Sequence, residues 1–245
     1  ATGYPVGGTG AVPEAYCRII EEAGGSVMTE TGVKKIIIKD GQATGVELLN
    51  GKVIEADLVI SNASYRDTAL LLVGAEHYPD DIVKQVERYE YSGGPHVLKI
   101  ALDKPITDHQ AIFYLGTDNF KKTEEKPLAD DVPEKAPSLM IPVISNLDPE
   151  SAPAGKQLIF AGCSSHSPHT SGKDVWKKWD AAIFNALKDV FPNIEDHIMW
   201  TVSTSKAAIH NLFGEDGCVI GLSQKIDQAG EKRPSVVDPV IGNLY

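Results

Sequence analysis

The sequence predicts an α+β fold. Two hairpin signals, Asp40-Gly41 and Asn50-Gly51, separate three segments rich in β-branched residues, the pattern of a three-stranded antiparallel meander. Further along the chain, short β-rich segments surround one long amphipathic helix, which is typical of a sheet covered by helices. We therefore expect two structural parts, the meander and, after it, a mixed β-sheet flanked by helices.

The first predicted element is a helix preceded by a glycine-rich turn. Gly7, Gly8 and Gly10 lie close together, and Pro13 falls in the first helical turn, where its missing N–H costs nothing. Apolar residues then recur at the spacing of a one-faced helix: Val12, Tyr16, Ile19, Ile20 and Ala23. Such a turn can hold an anion or approach a cofactor, or it can merely start the helix.

The predicted meander follows this helix. Its strands are expected over residues 33–39, 43–49 and 52–61. In the third strand, apolar residues occupy every second position: Ile54, Ala56, Leu58 and Ile60. Because side chains alternate between the two faces of a strand, this pattern predicts one buried face.

The remaining elements build the predicted sheet and its helices. Short helices are expected over 65–73, 79–89 and 206–213, and strands over 96–102, 111–115, 139–145, 157–163 and 197–203. We expect strands 96–102 and 111–115 to be neighbours. The longest helix is expected from Lys173 or Asp174 to Val190, with Pro192 ending it. Trp176 lies off its apolar face, which favours partial exposure, with a position at a domain boundary as the alternative.

Composition narrows the class of protein. The net charge of −11 repels phosphate backbones, so a nucleic-acid partner is not expected. A hydrophobic content of 42% with 23% charged residues is ordinary for a globular protein, and we see neither a secretory signal nor an apolar run of about 18 residues. The three cysteines are odd in number and widely spaced, which favours a reducing compartment. We expect a cytoplasmic protein with at most peripheral membrane contact.

Two polar segments are candidates for further sites. Cys163, His166 and His169 lie at intervals of three, but Pro168 and the neighbouring serines mark a loop and a fourth ligand is not evident, so no metal site is expected. Residues 116–138 carry paired charges and three prolines. This composition predicts a solvated surface loop, with a lid or a membrane-docking flap as the alternative.

Four groups of residues, in this order along the chain, resemble a known family. They are the Gly7-Gly8 turn with its helix; the meander ending Ala56-Asp57-Leu58-Val59-Ile60-Ser61-Asn62-Ala63; the segment Asp148-Pro149-Glu150-Ser151-Ala152-Pro153-Ala154-Gly155; and Gly217-Cys218-Val219-Ile220-Gly221 followed by Arg233-Pro234 and Asn243-Leu244-Tyr245. The order is similar to that of the FAD-dependent phytoene desaturase family. This family includes carotenoid isomerases and retinol saturases and lies within the amine-oxidase-like flavoproteins.

The resemblance implies FAD as cofactor, a hydrophobic polyene or isoprenoid substrate, and hydride transfer between a substrate carbon and the flavin. By position, the family's cofactor contacts fall on Gly7, Gly8 and Thr9 for the flavin ring, Val33 for the adenine, Asn62 and Ala63 for the pyrophosphate side, and Gly217 and Gly221 for the other flank of the ring. His210, just before the last glycine turn, is a weak substrate-binding candidate, with a solvated or capping role as the alternative. No catalytic base is identified.

The resemblance also implies a domain division: a partial FAD-binding domain over 1–75, a substrate-binding domain over 76–215, and a return segment over 216–245. A strand followed by G-x-G-x-x-G, which holds the pyrophosphate in such folds, does not precede Gly7. We therefore expect an interior piece of a flavoprotein that neither holds FAD nor catalyses a reaction alone. Two other functions stay open: flavin-dependent cis–trans isomerisation, and non-catalytic prenyl-lipid binding of the GDP-dissociation-inhibitor type.

Overall fold

The structure is a computed structural model that describes residues 4–116, 131–214 and 217–245. The chain forms two compact units. The meander unit consists of Val27–Ser92 with Ile220–Tyr245, and the sheet unit consists of Ala1–Ser26 with Gly93–Val219. The α+β class is confirmed. The assignment of flavin-binding and substrate-binding domains to particular residues stays a prediction.

The meander unit contains the predicted three-stranded sheet. Its strands are β1 (Val33–Lys39), β2 (Gln42–Leu48) and β3 (Val53–Glu55), paired antiparallel in the order β1-β2-β3. Asp40 and Gly41 both take positive φ between β1 and β2, at 49° and 74°. This is the conformation that the Asp-Gly signal predicts for a tight hairpin.

The third strand is shorter than the prediction, and its predicted buried face is wrong. Regular pairing ends at Glu55, and Leu58 and Ile60 are 46% and 75% exposed. Val59 is the half-buried residue of this segment, because it pairs in parallel with Leu244 near the other end of the chain. Because Leu244 is so distant in sequence, the local alternation of apolar residues does not predict this pairing.

Helices and the last residues of the chain close the meander unit. A π-helix spans Asp67–Gly74, a 3-10 turn spans Ala75–His77, and α2 spans Asp80–Arg88. The buried core joins the meander, these helices and the last segment: Ile36, Ala43, Ala69, Val73, Tyr78, Val86, Ile241 and Leu244. The unit therefore depends on residues from both of its chain segments.

The sheet unit contains five strands. They are β4 (Gly94–Leu102), β5 (Ala111–Leu115), β6 (Ser138–Pro142), β7 (Gln157–Ser165) and β8 (Ile198–Thr204). Their order is β5-β6-β7-β4-β8, and every pairing between them is antiparallel, so the expected mixed sheet is not observed. The prediction that β4 and β5 are neighbours is also wrong, because β6 and β7 lie between them.

One face of this sheet is covered by α4, which spans Lys173–Val190 as predicted. Alternate residues of β4, and most alternate residues of β7, point into the core beneath α4. This core includes Leu98, Ile100, Ile159, Ala161, Trp179, Ile183 and Leu187. Trp176 is buried rather than partly exposed, because its ring stacks on His96 of β4. Its indole N–H donates to Ser171 O at 3.0 Å.

The other helices are short or exposed. α1 spans Ala11–Glu22 and buries none of its residues; α3 spans Ile144–Leu147 and α5 spans Lys206–Phe213. Across the described ranges, no helix is long and apolar enough to cross a membrane. The loop or flap predicted over 116–138 lies largely outside the described residues.

Candidate functional site

Two short segments of the meander unit, around Val59 and Leu244, run parallel and side by side. Val59 N donates to Asn243 O, and Val59 O accepts from Tyr245 N, both at 2.9 Å. Ser61 N then donates to Tyr245 O at 2.7 Å. Ligands of folds with parallel strands bind preferentially where the carboxyl ends of the strands meet. In this unit the corresponding edge lies at residues 61–63, just after Val59.

A cavity of about 460 Å³ opens at this edge. We call it the strand-end cavity. Its walls come from the ends of the two parallel segments, the start of the following helix and the segment before the last turn: Ser61, Ala63, Tyr65, Thr68, Arg233, Pro234, Ser235, Val236, Asp238, Leu244 and Tyr245. The volume falls within the range of about 300–1,000 Å³ that small-ligand sites occupy.

Hydroxyl groups form one wall of the cavity. Ser61 Oγ and Thr68 Oγ1 lie 2.7 Å apart, so one of the two donates to the other. Each hydroxyl carries one proton, and the shared bond uses one of the two. The pair therefore keeps one O–H that can donate to a ligand.

Arg233 brings the positive charge of the cavity wall. Its Nη2 donates to Leu222 O at 2.9 Å, which anchors the guanidinium. Its Nη1 is buried and has no hydrogen-bond partner among the described residues. A buried guanidinium N–H without an acceptor is costly.

Asp238 lies in the same wall but has a structural role. Its Oδ1 accepts from Val240 N at 2.9 Å and Ile241 N at 2.8 Å, and its Oδ2 accepts from Tyr78 Oη at 2.8 Å. Burial, together with this bond and the charge of Asp238, raises the pKa of Tyr78 well above its usual range. Burial first and the Asp238 charge second also raise the pKa of Tyr65. Both phenols therefore stay neutral to higher pH than an ordinary tyrosine, and that of Tyr78 donates to Asp238.

The predicted cofactor residues of the meander unit have different surroundings. Ala63 lines the strand-end cavity, and Asn62 precedes it in the chain. Gly221 has a φ of +93°, and a Cβ placed on it would meet no atom within 4 Å. Val33 begins β1, is exposed and does not line the cavity. Their predicted contacts with FAD remain predictions.

The other predicted cofactor residues belong to the sheet unit. Gly7 and Gly8 take φ values of +82° and +83° in the turn before α1. Gly7 and Thr9 are exposed, and Gly8 is half-buried. Gly217 is packed tightly, since a Cβ on it would lie 2.1 Å from Lys206 O. This close approach is a structural reason for a glycine there, independent of any cofactor.

His210 and the histidines of the loop after β7 lie in the sheet unit. The rings of His210 and His169 stack with centroids 3.8 Å apart, and His166 makes a hydrogen bond to Asp131 O at 2.9 Å. Cys163 is buried in the core between the sheet and α4. No group of three potential metal ligands occurs within the described ranges.

Comparison with known proteins supplies the family. The model of the family described as flavin containing amine oxidoreductase matches residues 2–205. This chain belongs to the flavin containing amine oxidoreductase family. The resemblance noted in the sequence is thereby confirmed at the family level.

Relatives within the amine oxidoreductase family include carotenoid enzymes. The chain is 31% identical to prolycopene isomerase 1 from an Oncidium hybrid cultivar, over 80% of this chain and 33% of that protein. It is 29% identical to the zeta-carotene-forming phytoene desaturase of Myxococcus xanthus, over 99% of this chain and 47% of that protein. The chain thus spans between a third and a half of the length of these relatives.

Solved structures agree on the fold. An oxidoreductase from Methanosarcina mazei matches with a TM-score of 0.57 and 24% identity, over 81% of this chain and 42% of that one. Reduced UDP-galactopyranose mutase matches with a TM-score of 0.55 and 15% identity, over 81% of this chain and 38% of that one.

The wall of the strand-end cavity has donors and acceptors for a polar ligand, and contact of these residues with a flavin stays a prediction. The guanidinium of Arg233 and the Ser61–Thr68 hydroxyl pair are donors, and phosphate oxygens are acceptors. Sequence reasoning named Ala63 but missed Arg233, Thr68 and Asp238. The Arg233-Pro234 pair was noted only for the resemblance, and nothing local places it beside Ser61.

Proposed function

We propose that the whole protein containing this chain is an FAD-dependent oxidoreductase that acts on a polyene or isoprenoid lipid. A bound flavin would supply the acceptor or donor of a hydride, so that a C–C double bond is formed or reduced. The family match supports the flavin. The names of the relatives, a prolycopene isomerase and a phytoene desaturase, support a carotenoid-like substrate.

The main structural support for a lipid substrate is the uncovered face of the five-stranded sheet. Residues paired directly across two strands share a face, and the pairs Phe113 with Met140 and Ala101 with Trp200 lie on the face opposite α4. The exposed apolar residues of this face include Phe113, Leu115, Met140, Trp200 and Val202. We call this the open sheet face.

The open sheet face holds few polar groups. At its centre Lys99 pairs with Phe160, with its ammonium 5.5 Å from the ring centroid. Clusters of exposed apolar side chains on one face are typical of a binding surface. In the proposed role, these side chains orient an extended hydrocarbon and exclude water from the reacting carbons, and polar contacts are not needed to recognise such a substrate.

We further propose that the 245-residue chain neither retains FAD nor turns over substrate by itself. The relatives it matches are two to three times longer. A strand followed by G-x-G-x-x-G, which binds the pyrophosphate in dinucleotide folds, is absent from the sequence. The strand-end cavity supplies part of a cofactor site.

The experiment that tests the function uses the whole protein, purified and mixed anaerobically with polyenes in detergent or liposomes. The absorbance spectrum reports bound flavin, and chromatography of the extracted lipid reports the number and geometry of its double bonds. Desaturation should bleach the oxidised flavin and lengthen the conjugated system. A protein that carries no flavin after purification, and takes none up from solution, contradicts the proposal.

The same experiment distinguishes isomerisation from desaturation. The 31% identity to prolycopene isomerase makes this the second candidate. Isomerisation rearranges the polyene without a net change in its hydrogens, so the number of double bonds and the final redox state of the flavin would both be unchanged. The family match does not favour the non-catalytic prenyl-binding alternative.

A further inference from the structure

We propose that the open sheet face binds a lipid with one acidic head group, a long-chain or polyene carboxylate. In this proposal Lys99 holds the carboxylate, and the hydrocarbon tail lies across β7, β6 and β5. The inference rests on the proposed function, because it takes the open sheet face as the lipid surface. It adds the class of ligand and the residue that selects it.

The first step of the argument is the isolation of one charge on this face. Apart from Lys99, every residue of the five strands that the strand registers place on the open sheet face is uncharged. Its neighbours across the strands are Phe160 of β7 and Val202 of β8. Within the described ranges, no carboxylate pairs with its ammonium. The protein therefore supplies a cation on this face and no anion to balance it.

The second step is the position of the ammonium. Lys99 is half-buried on β4, which has a strand on each side, and its Nζ lies 5.5 Å from the centroid of the Phe160 ring. Attraction between a cation and an aromatic ring favours this position over the sheet. The ammonium is thus held where a ligand of the open sheet face would cover it.

The third step is the chemistry of such a ligand. A pure hydrocarbon needs no polar contact, and by covering Lys99 it would remove water from the ammonium without replacing the lost hydrogen bonds, which costs free energy. A carboxylate would accept from the ammonium, and hydrogen bonds between charged groups are the strong ones. A single cation matches a single negative charge, so a carboxylate fits better than a diphosphate.

The fourth step is the direction of the tail. In the order β5-β6-β7-β4-β8, three strands lie on one side of β4 and one strand on the other. Because neighbouring strands are about 4.8 Å apart, β5 lies roughly 14 Å from Lys99. Phe160, Met140 and Phe113 provide apolar contacts on β7, β6 and β5. A tail that begins at Lys99 therefore has most room toward β5, which favours a long chain.

The test compares all-trans-retinoate with all-trans-retinol, two polyenes that differ at the head group. Binding to the 245-residue chain is followed by quenching of tryptophan fluorescence, since Trp200 lies on the open sheet face. We expect retinoate to bind more tightly than retinol. Lys99→Met keeps an unbranched apolar side chain without the charge, so it should weaken retinoate binding about tenfold and abolish the preference.

Two matched variants isolate the charge at this position. Lys99→Arg keeps a cation there and should retain the preference for retinoate. Lys104→Met removes an exposed cation just after β4 and should leave the binding of both polyenes unchanged. Circular dichroism checks that each variant folds.

Competition with saturated acids tests the direction of the tail. Palmitate should displace retinoate, whereas octanoate, whose extended chain is shorter than the distance from Lys99 to β5, should displace it much more weakly. Phe113→Ala removes an exposed ring at the far end of the path and should weaken palmitate binding a few-fold without affecting octanoate.

Three results would overturn the inference. They are equal affinities of retinoate and retinol for the unsubstituted chain, equal affinities of retinoate for that chain and folded Lys99→Met, and the absence of saturable retinoate binding. Equal displacement by octanoate and palmitate would contradict the tail direction.

A parallel arm separates this inference from the proposed function. The whole protein, with and without Lys99→Met, is assayed for bound flavin and for turnover of neutral polyenes. Turnover of neutral polyenes by a flavin-containing protein that shows no preference for acidic lipids supports the function and contradicts the inference. Retinoate binding that depends on Lys99, in a whole protein without flavin, supports the inference and contradicts the flavin function.

Discussion

At the scale of single residues, His96 is a buried polar side chain of the sheet unit that depends on one hydrogen-bond partner. Its ring is fully buried and stacks on Trp176, and its Nε2 lies 2.7 Å from Asp180 Oδ1. Ser203 Oγ donates to the same oxygen at 2.8 Å. Because a carboxylate accepts, Nε2 carries the proton, and the buried Nδ1 has no partner among the described residues.

We predict that Asp180→Ala lowers the free energy of unfolding of the sheet unit by about 1–3 kcal/mol, because His96 loses its acceptor while buried. The measurement is urea unfolding followed by tryptophan fluorescence, which reports this unit since Trp176, Trp179 and Trp200 all belong to it. Lys178→Ala, on the exposed side of the same helix, is the control. Equal midpoints for the two variants would refute the role of the His96 pair.

Cys163 makes the stability of the sheet unit sensitive to alkaline pH. Burial raises the pKa of its thiol to about 12. An unfolded chain ionises this thiol at about pH 8.5. The neutral thiol therefore contributes stability that is complete below the unfolded pKa and is lost as pH rises toward the folded value.

We predict that the free energy of unfolding falls more steeply between pH 9 and 10.5 for the unsubstituted chain than for Cys163→Ala. The difference in slope should approach about 1.4 kcal/mol per pH unit, the value for one proton. Tyrosines with raised pKa contribute equally to both chains and cancel in the comparison. Parallel curves would mean that the thiol is not shielded in the folded state.

At the scale of elements, the five-stranded sheet has one closed and one open face. Adjacent residues of β6 show the contrast, since Leu139 is 2% exposed and Met140 is 54% exposed. Leu139 packs in the core beneath α4, and Met140 pairs with Phe113 on the open sheet face. Because successive side chains of a strand point to opposite faces, these two neighbouring residues lie on opposite faces of the sheet.

We predict that Leu139→Ala lowers the free energy of unfolding by about 2–5 kcal/mol, because it empties space in a packed core. Met140→Ala should change it by less than about 1 kcal/mol, because the side chain is already exposed. Urea unfolding by tryptophan fluorescence measures both. In the whole protein, Met140→Ala should instead raise the KM for a polyene; a stability loss as large as that of Leu139→Ala would mean that the face is covered.

At the scale of the whole molecule, the meander unit is assembled from segments far apart in sequence. Tyr78 and Asp238 are separated by 160 residues and joined by a hydrogen bond of 2.8 Å. Leu244 is 1% exposed in the core of this unit, next to the pairing of Val59 with the end of the chain. The last segment therefore completes both the core and the strand-end cavity.

We predict that Leu244→Ala destabilises the meander unit by about 2–5 kcal/mol and speeds hydrogen exchange at the Ser61 amide, which donates to Tyr245 O. Exchange is measured by mass spectrometry, because no tryptophan lies in this unit. Val237→Ala, at a half-exposed position of the same segment, is the control. Unchanged exchange at Ser61 in Leu244→Ala would show that the parallel pairing does not depend on this core contact.

The candidate site was predictable in part. A known family order pointed to Asn62 and Ala63, and Ala63 does line the strand-end cavity. Arg233 and Thr68 could not be predicted as cavity residues. Arg233 lies far from Ser61 in sequence, and the Ser61–Thr68 hydroxyl pair is local but has no recognisable sequence signal. Gly217 is the opposite case. The resemblance associates this glycine with a cofactor, and its close packing on Lys206 is a structural reason for a glycine there.

The sequence by itself determined the elements whose causes are local. Asp40-Gly41 requires a tight hairpin because both residues take positive φ, and the apolar stripe of α4 defines a helix that ends before Pro192. The tertiary structure alone decided the strand order, the burial of Trp176, the exposure of Ile60 and the place of Arg233. These depend on which distant segments pair, and pairing energy between distant segments does not appear in any short window of sequence.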